Sequence, residues 1–255
     1  MSRIAVFNQK GGVGKTTTVL NLAAGLCQQY HRPLLIDMDP QEHLSQIHEQ
    51  ATQNAGQSLF GFYQDNRPLN QLEITWDRIG SLIPAHKALI KVDTVFGKGP
   101  AILNKLRLGL EAIEKDAAPR DTIIDCCPYI GVLSLSAIFA ADVVLIPIAS
   151  DFLSLQGAKK VEQTLKALEP VVKKRIDRRY LMTRYDRRRK FTFEAHDQAR
   201  SLFGDEVLNT VISENVAVAK SPQYNKDVFQ YSANSAGAQD YAVLLDELRS
   251  KKLLS

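Results

Sequence analysis

The chain is short of cysteine and of long apolar runs. Its 255 residues hold three cysteines, Cys27, Cys126 and Cys127. None sits in a C-x-x-C pair, so neither a metal knuckle nor a disulfide framework is indicated. A reducing, cytoplasmic setting is the expectation. No apolar stretch approaches the roughly 20 residues needed to span a bilayer. Nothing resembles a signal peptide, since a strand-like run already begins at Arg3. Low-complexity composition is also missing. With 45% hydrophobic and 24% charged residues, the chain is ordinary globular, neither disordered nor membrane-like. These absences leave one large domain over 1–255, long enough for a sizeable core.

Excess positive charge is confined. The net charge is +4, yet between Lys173 and Lys190 ten Lys or Arg stand against two Asp, a local +8. The remainder is acidic, so the basicity reads as one patch. A charge run is commonly a solvated face. Clustered cations also bind phosphate backbones with salt-sensitive, sequence-tolerant affinity.

What is present is organised around Gln9-Lys10-Gly11-Gly12-Val13-Gly14-Lys15-Thr16-Thr17-Thr18. The apolar run Ile4-Ala5-Val6-Phe7 precedes it. Val19, Leu22, Ala23 and Leu26 follow at helical spacing. The order is strand, glycine loop, helix over 14–29. Three glycines let backbone N–H groups curl round an anion, and the helix N-terminus adds its own N–H groups and dipole. Lys15 supplies a charge for phosphate oxygens, and the Thr16 hydroxyl is suited to Mg²⁺.

Further strands end in acids. Leu34-Leu35-Ile36 runs into Asp37-Met38-Asp39-Pro40-Gln41, and Thr122-Ile123-Ile124 into Asp125. Asp before Pro is common turn chemistry. Carboxylates at strand ends beside a phosphate loop also hold Mg²⁺ through water or orient an attacking water. Strands are expected over 79–84, 143–147, 179–183 and 207–212. Helices are expected over 101–115 and 238–249, with another ending over 165–172 and extended by Lys173-Lys174-Arg175. Alternating strands and helices predict an α/β fold: a doubly wound, mostly parallel sheet with helices on both faces and ligand at the carboxyl ends of the strands. Leu59, Phe60, Phe62 and Tyr63 are expected anchors in the weakly patterned stretch 52–76. His43 and His48, five apart, are expected to be solvated. Phe96-Gly97-Lys98-Gly99-Pro100 is not read as a phosphate loop, because no strand feeds it.

A standard phosphate loop, G-x-x-x-x-G-K-[ST], would have glycine at position 9. Gln9 is there instead, followed by the extra Lys10. In this K-G-G-x-G-K-T form the chain resembles the deviant Walker A ATPases of the ParA/MinD family, ParA-type (Soj-like) and without a preceding helix-turn-helix. Asp37-Met38-Asp39-Pro40-Gln41, Ile83-Pro84-Ala85, Ser154-Leu155-Gln156-Gly157 and Thr183-Arg184-Tyr185-Asp186 also resemble that family. Two departures stand out. Asp125-Cys126-Cys127-Pro128 replaces the family's D-x-P-P, and Ser213-Glu214-Asn215-Val216 stands where it has I-P-x-N-V. The resemblance implies ATP and Mg²⁺ as cofactors. It assigns the phosphates to Lys10, Gly11, Gly12, Val13, Gly14, Lys15, Thr16 and Thr17, and Mg²⁺ to Thr16, Asp39 and Asp125. Asp39 would be the hydrolysis aspartate, and Asp37 an Mg²⁺-side or structural partner. Thr183, Arg184, Ser213 and Asn215 would also bind the nucleotide, the last two near the adenine. Lys10, with Lys15 and Asp39, would be catalytic, reaching the nucleotide of a second copy in an ATP-closed homodimer. Non-specific DNA would meet Arg184, Arg187, Arg188, Arg189, Lys190 and Lys220. A ParB-like adaptor would stimulate a slow ATPase that partitions or positions a cargo on the nucleoid.

Three alternatives fit the residues less well. A MinD-like membrane ATPase carries a C-terminal amphipathic helix, whereas the tail here offers only Leu253 and Leu254 after its basic residues, too little for stable membrane association. An iron–sulfur relative needs bridging cysteines, which the adjacent Cys126 and Cys127 do not provide. An ATP-gated module that scarcely hydrolyses has no need of Asp39 and Asp125.

Overall fold

Alternate side chains along the strands feed two separate cores. Ile4 and Val6 of the first strand pack on one face, and Ala5 and the following Phe7 on the other. The strands Leu34–Asp37, Thr122–Asp125, Val143–Ala149 and Asp177–Tyr185 repeat this two-residue alternation, as the pleat requires. The computed structural model describes residues 1–48, 54–95, 97, 99–116 and 118–254. Thr52, Phe96 and Lys98, named among the sequence expectations, lie outside them.

The strands are β1 (Arg3–Val6), β2 (Leu34–Asp37), β3 (Ile74–Trp76), β4 (Gly80–Ile83), β5 (Thr122–Asp125), β6 (Val143–Ala149), β7 (Asp177–Tyr185) and β8 (Val207–Ser213). They form one eight-stranded sheet in the order β3-β4-β2-β5-β1-β6-β7-β8. Only the β3–β4 pair is antiparallel. The helices are α1 (Lys15–Gln28), α2 (His43–Ile47), α3 (Leu59–Asp65), α4 (Val92–Val95), α5 (Pro100–Asp116), α6 (Val132–Ala140), α7 (Phe152–Val172), α8 (Lys190–Phe203), α9 (Val216–Lys220), α10 (Val228–Ser232) and α11 (Ala236–Ser250). Helices α1 and α11 cover one face, and α5, α6, α7 and α8 the other. The sheet is thus doubly wound, with β1 at its centre between β5 and β6. In a parallel sheet every strand end of one polarity lies along one edge. The loops after β1, β2, β5, β7 and β8 therefore share an edge, where such folds place their chemistry.

Three expectations need correction. Lys173-Lys174-Arg175 do not extend α7: the helix stops at Val172, and Lys173 turns the chain with a left-handed φ of 56°. The turn feeds β7, whose nine residues put about 26 Å, at roughly 3.3 Å per residue, between its two ends. The basic run is therefore not one patch. Lys173-Lys174-Arg175 lie at the start of β7 and Arg187-Arg188-Arg189-Lys190 beyond its end. His48 is not solvated: it is buried, stacks edge-on against Trp76 and places Nε2 3.0 Å from the Thr75 carbonyl. The edge strand β3, short and only partly buried, has too little alternation to be read from the sequence.

Candidate functional site

The loop after β1 is built from glycine torsions. Gly12 and Gly14 have φ of +74° and +90°, and Cβ atoms added there would meet no neighbour. Backbone conformation, not crowding, is what demands glycine at these points. Gly14 is also the N-cap of α1 and has no side chain to satisfy the first N–H groups, and no acid stands in the first turn. That end of α1 is left with donors and dipole available to an anion. The loop borders a cavity of about 610 Å³ lined by Gly12, Lys15, Thr16, Asp39, Pro128 and Pro222 among others. Gly11, Gly14 and Thr17 line it too, so most residues expected on the phosphates converge there.

Lys15 is buried, and its ammonium donates to the Lys10 carbonyl at 3.2 Å. Burial lowers its pKa, with Asp125 and Asp39 pulling the other way. Asp39 also lines the cavity and accepts from Gln41 N–H on Oδ1 at 2.9 Å, so the turn role and the site role coexist in one carboxylate. Asp37 is structural. Its Oδ1 accepts from Asp39 N–H at 3.0 Å, and its Oδ2 from the amide and hydroxyl of Ser45 at 2.9 and 2.7 Å. Ser45 Oγ in turn accepts from Ala85 N–H at 2.9 Å, so Asp37 fixes the loop that presents Asp39.

Asp125 differs from its neighbours. Both carboxylate oxygens are buried without a hydrogen-bond partner. The Thr16 hydroxyl is close enough to favour the charged form, without completing a hydrogen bond. Burial, followed by the proximity of Asp37, pushes its pKa well above the ordinary carboxylate range. Burial likewise pushes Asp37 up to about 7. Asp37 and Asp125 are register partners on adjacent strands, with Lys15 as the nearby cation. A divalent cation would satisfy those Asp125 oxygens. Among the described residues no three His, Cys, Asp or Glu converge to hold a metal directly. That suits Mg²⁺, which keeps several waters and uses one or two carboxylates together with phosphate oxygens.

Three side chains brace the loop through four hydrogen bonds, and sequence reading found none of these contacts. Asn8 Nδ2 donates to the Pro147 carbonyl at 2.7 Å. Lys10 Nζ donates to Asp151 Oδ1 at 2.7 Å and Ser154 Oγ at 2.8 Å. Thr183 Oγ1 donates to the Val13 carbonyl at 2.9 Å. Asp151 is also the N-cap of α7, accepting from Ser154 N–H. Phe152 and Leu153, next along α7, are about two-thirds exposed, and Tyr129 and Ile130 are also exposed.

Thr183, Arg184, Ser213 and Asn215 are not among the residues lining the cavity. Ser213 N–H donates to Asp240, Asn215 caps α9, and Arg184 reaches Glu214 at 3.4 Å. In the turn after β7, Asp186 ion-pairs with Arg188 at 2.9 Å and Arg189 at 3.0 Å, while Arg187 is exposed. Lys190 extends into solvent near Glu194, and Lys220 lies exposed in the last turn of α9. Cys126 and Cys127 are buried, and burial raises both thiols, Cys127 to about 12, so neither is a ready nucleophile or cluster ligand. No helix among the described residues is long and apolar enough to cross a membrane. Leu254 is buried, and Leu253 packs against the same core.

Comparison with known proteins places this geometry. A family model described as an AAA domain matches residues 1–178. Over 251 residues, covering 98% of this chain and 94% of that protein, the sequence is 33% identical to the chromosome partitioning protein ParA of Caulobacter vibrioides. It is also 33% identical over 253 residues to the chromosome-partitioning ATPase Soj of Thermus thermophilus, covering 98% of this chain and 96% of that one. In three dimensions it is similar to a cobyrinic acid a,c-diamide synthase from Mycobacterium smegmatis with bound ADP and magnesium. There the TM-score is 0.85 at 25% identity, with 99% of this chain and 95% of that chain covered.

Proposed function

Because the chain belongs to the ParA-type family of P-loop partition and positioning ATPases, we propose that it is an ATP-driven switch on DNA. Two copies close on ATP, bind DNA without sequence preference, and separate after hydrolysis. The observation that carries the reading is the shared edge of the sheet. The phosphate loop after β1, the carboxylates after β2 and β5, and the cations of the turn after β7 all lie along it.

The geometry and the family resemblance together support a role for each residue. The N–H groups of the loop and the α1 N-terminus cradle the phosphates, and Lys15 neutralises their oxygens. Thr16 and Asp125 would hold Mg²⁺, Asp125 through water. Bound there, the ion would neutralise charge on the transferred phosphoryl. Asp39, held at the cavity by its own turn, orients the attacking water. Lys10 of each copy serves the nucleotide of the other, stabilising charge that develops in transfer. Exposed Phe152, Leu153, Tyr129 and Ile130 supply apolar surface for the second copy. Closing the dimer joins two basic turns, and doubling the phosphate contacts raises DNA affinity steeply. A ParB-like adaptor that stimulates hydrolysis completes the cycle, with the nucleoid as the place of work. An adaptor attached to a protein assembly would position that assembly by the same cycle. Leu253 and Leu254, which a MinD-like reading would turn toward lipid, pack against the core instead.

The test is Lys15→Ala. With ATP present it should lose at least ten-fold in affinity for a random duplex, read by fluorescence anisotropy. If the variant held DNA as tightly as the wild type, the switch would be refuted.

A further inference from the structure

The Thr183 hydroxyl crosses from the end of β7 to the backbone of the phosphate loop, 170 residues away in sequence. Thr183 is buried, and Val13, whose carbonyl it meets at 2.9 Å, is fully buried. Val13 stands between Gly12 and Gly14, the two loop residues with left-handed torsions. When the N–H groups of such a loop converge on an anion, its carbonyls must point away from the anion. A buried carbonyl pointing away needs a donor behind it, because water cannot reach it. The ladder of α1 serves the next carbonyl, with Thr18 N–H donating to Gly14 O at 2.9 Å. Thr183 serves Val13.

Thr183 is itself held. Its own carbonyl accepts from both the amide and the hydroxyl of Ser150, each at 3.1 Å. Ser150 directly follows Ala149, the register partner of Thr183 on β6. The hydroxyl is thus presented from a rigid strand end, not from a mobile loop. Thr183 is not among the residues that line the cavity beside the loop.

We propose that Thr183 is a positioning residue for phosphate binding: its hydroxyl holds the Val13 carbonyl outward and so keeps the N–H groups of residues 12–15 turned toward the phosphates. This gives a specific part to a residue that the family resemblance implied only as nucleotide-binding. It rests on reading the 9–18 loop as the phosphate site.

The experiment measures affinity for Mg-ATP and for base-free tripolyphosphate, by displacement of a fluorescent nucleotide, in Thr183→Val, Thr183→Ser, Thr183→Cys and Lys15→Ala. Thr183→Val keeps the shape and removes the donor. It should weaken both ligands by the same factor, about ten-fold, the scale set by one unsatisfied buried acceptor. Thr183→Ser restores the donor and should come within about two-fold of wild type on the same scale. Thr183→Cys has a weaker donor and should fall between them, which covers the case in which the valine variant fails to fold. Amide exchange at Gly14 and Lys15 should quicken in the valine or cysteine variant while β7 stays protected. A loss confined to ATP would make Thr183 a base contact and overturn the proposal. Wild-type affinity in the valine and cysteine variants, or no recovery with serine, would overturn it as well. If Lys15→Ala bound both ligands normally, the phosphate-loop reading itself would be the one to fail.

Discussion

Lys10 illustrates how much depends on a single ammonium. Within one copy it is tied to Asp151 and Ser154, both on the α7 N-terminus. Asp151 holds a pKa below the ordinary carboxylate value: burial works to raise it, and hydrogen bonds from Lys10 and Ser154 outweigh that. With Asp151 44% exposed, this contact is worth about 1 kcal/mol or less. A bond that weak restrains Lys10 without trapping it. Asp151→Asn should keep the α7 cap, since asparagine caps as well as aspartate, and loosen Lys10. The expected outcome is an ATP-dependent dimer up to about five-fold tighter, measured by analytical ultracentrifugation. An unchanged or weaker dimer would show that Asp151 does not restrain Lys10. Neither Asp151 nor Asn8 was legible as part of the site, because their partners lie 141 and 139 residues away. Lys15, Thr16, Asp39 and Asp125 were legible, because each is marked by its immediate neighbours in the chain.

At the scale of elements, β7 links the glycine loop after β1 to the basic turn. Its C-terminal end holds the phosphate loop through Thr183 and continues directly into the basic turn. Its N-terminal end is anchored to α7 by Arg178. That side chain is fully buried, meets Glu162 at 3.0 Å, pairs with Glu169, and donates to the Ile176 carbonyl at 2.9 Å. The Tyr180 hydroxyl donates to the same Glu162, and its ring stacks on Phe203 of α8. Removing the buried guanidinium leaves Glu169 without its cation and Glu162 with only Lys166. Arg178→Met should therefore destabilise the fold by about 3 kcal/mol, read from urea unfolding. Adding Glu162→Gln and Glu169→Gln should return part of that loss. If Arg178→Met proved neutral by itself, the network would not be the anchor of β7.

For the whole molecule the governing fact is the polarity of the sheet. Parallel strands put the phosphate loop and the Arg184–Lys190 turn along one edge, and leave Lys173-Lys174-Arg175 at the opposite edge. In the proposed ATP-closed dimer, the first set is the one that would be shared. Within it, Arg188 and Arg189 are partly neutralised by Asp186, so Arg187 and Lys190 are the cations most available to phosphates. The salt dependence of DNA binding tests this division. With ATP present, Arg187→Ala with Lys190→Ala should flatten the slope of log affinity against log salt by about two per subunit. Lys173→Ala with Lys174→Ala should leave the slope as it was. A larger change from the second pair would assign DNA to the other edge.

The sequence by itself determined what neighbouring residues can specify. It marked the alternation of strands and helices, the glycine loop with its lysine and threonine, and the acids that end β2 and β5. Periodicity, torsion and strand-end chemistry are local, so a single chain suffices to read them. Only the tertiary structure decided which basic residues stand together, that Asp37 supports while Asp125 is left without partners, that His48 is buried, and that Thr183 backs the phosphate loop. Each of these depends on which strands lie side by side and which way they run. A contact 170 residues long in sequence leaves no mark on the residues beside it.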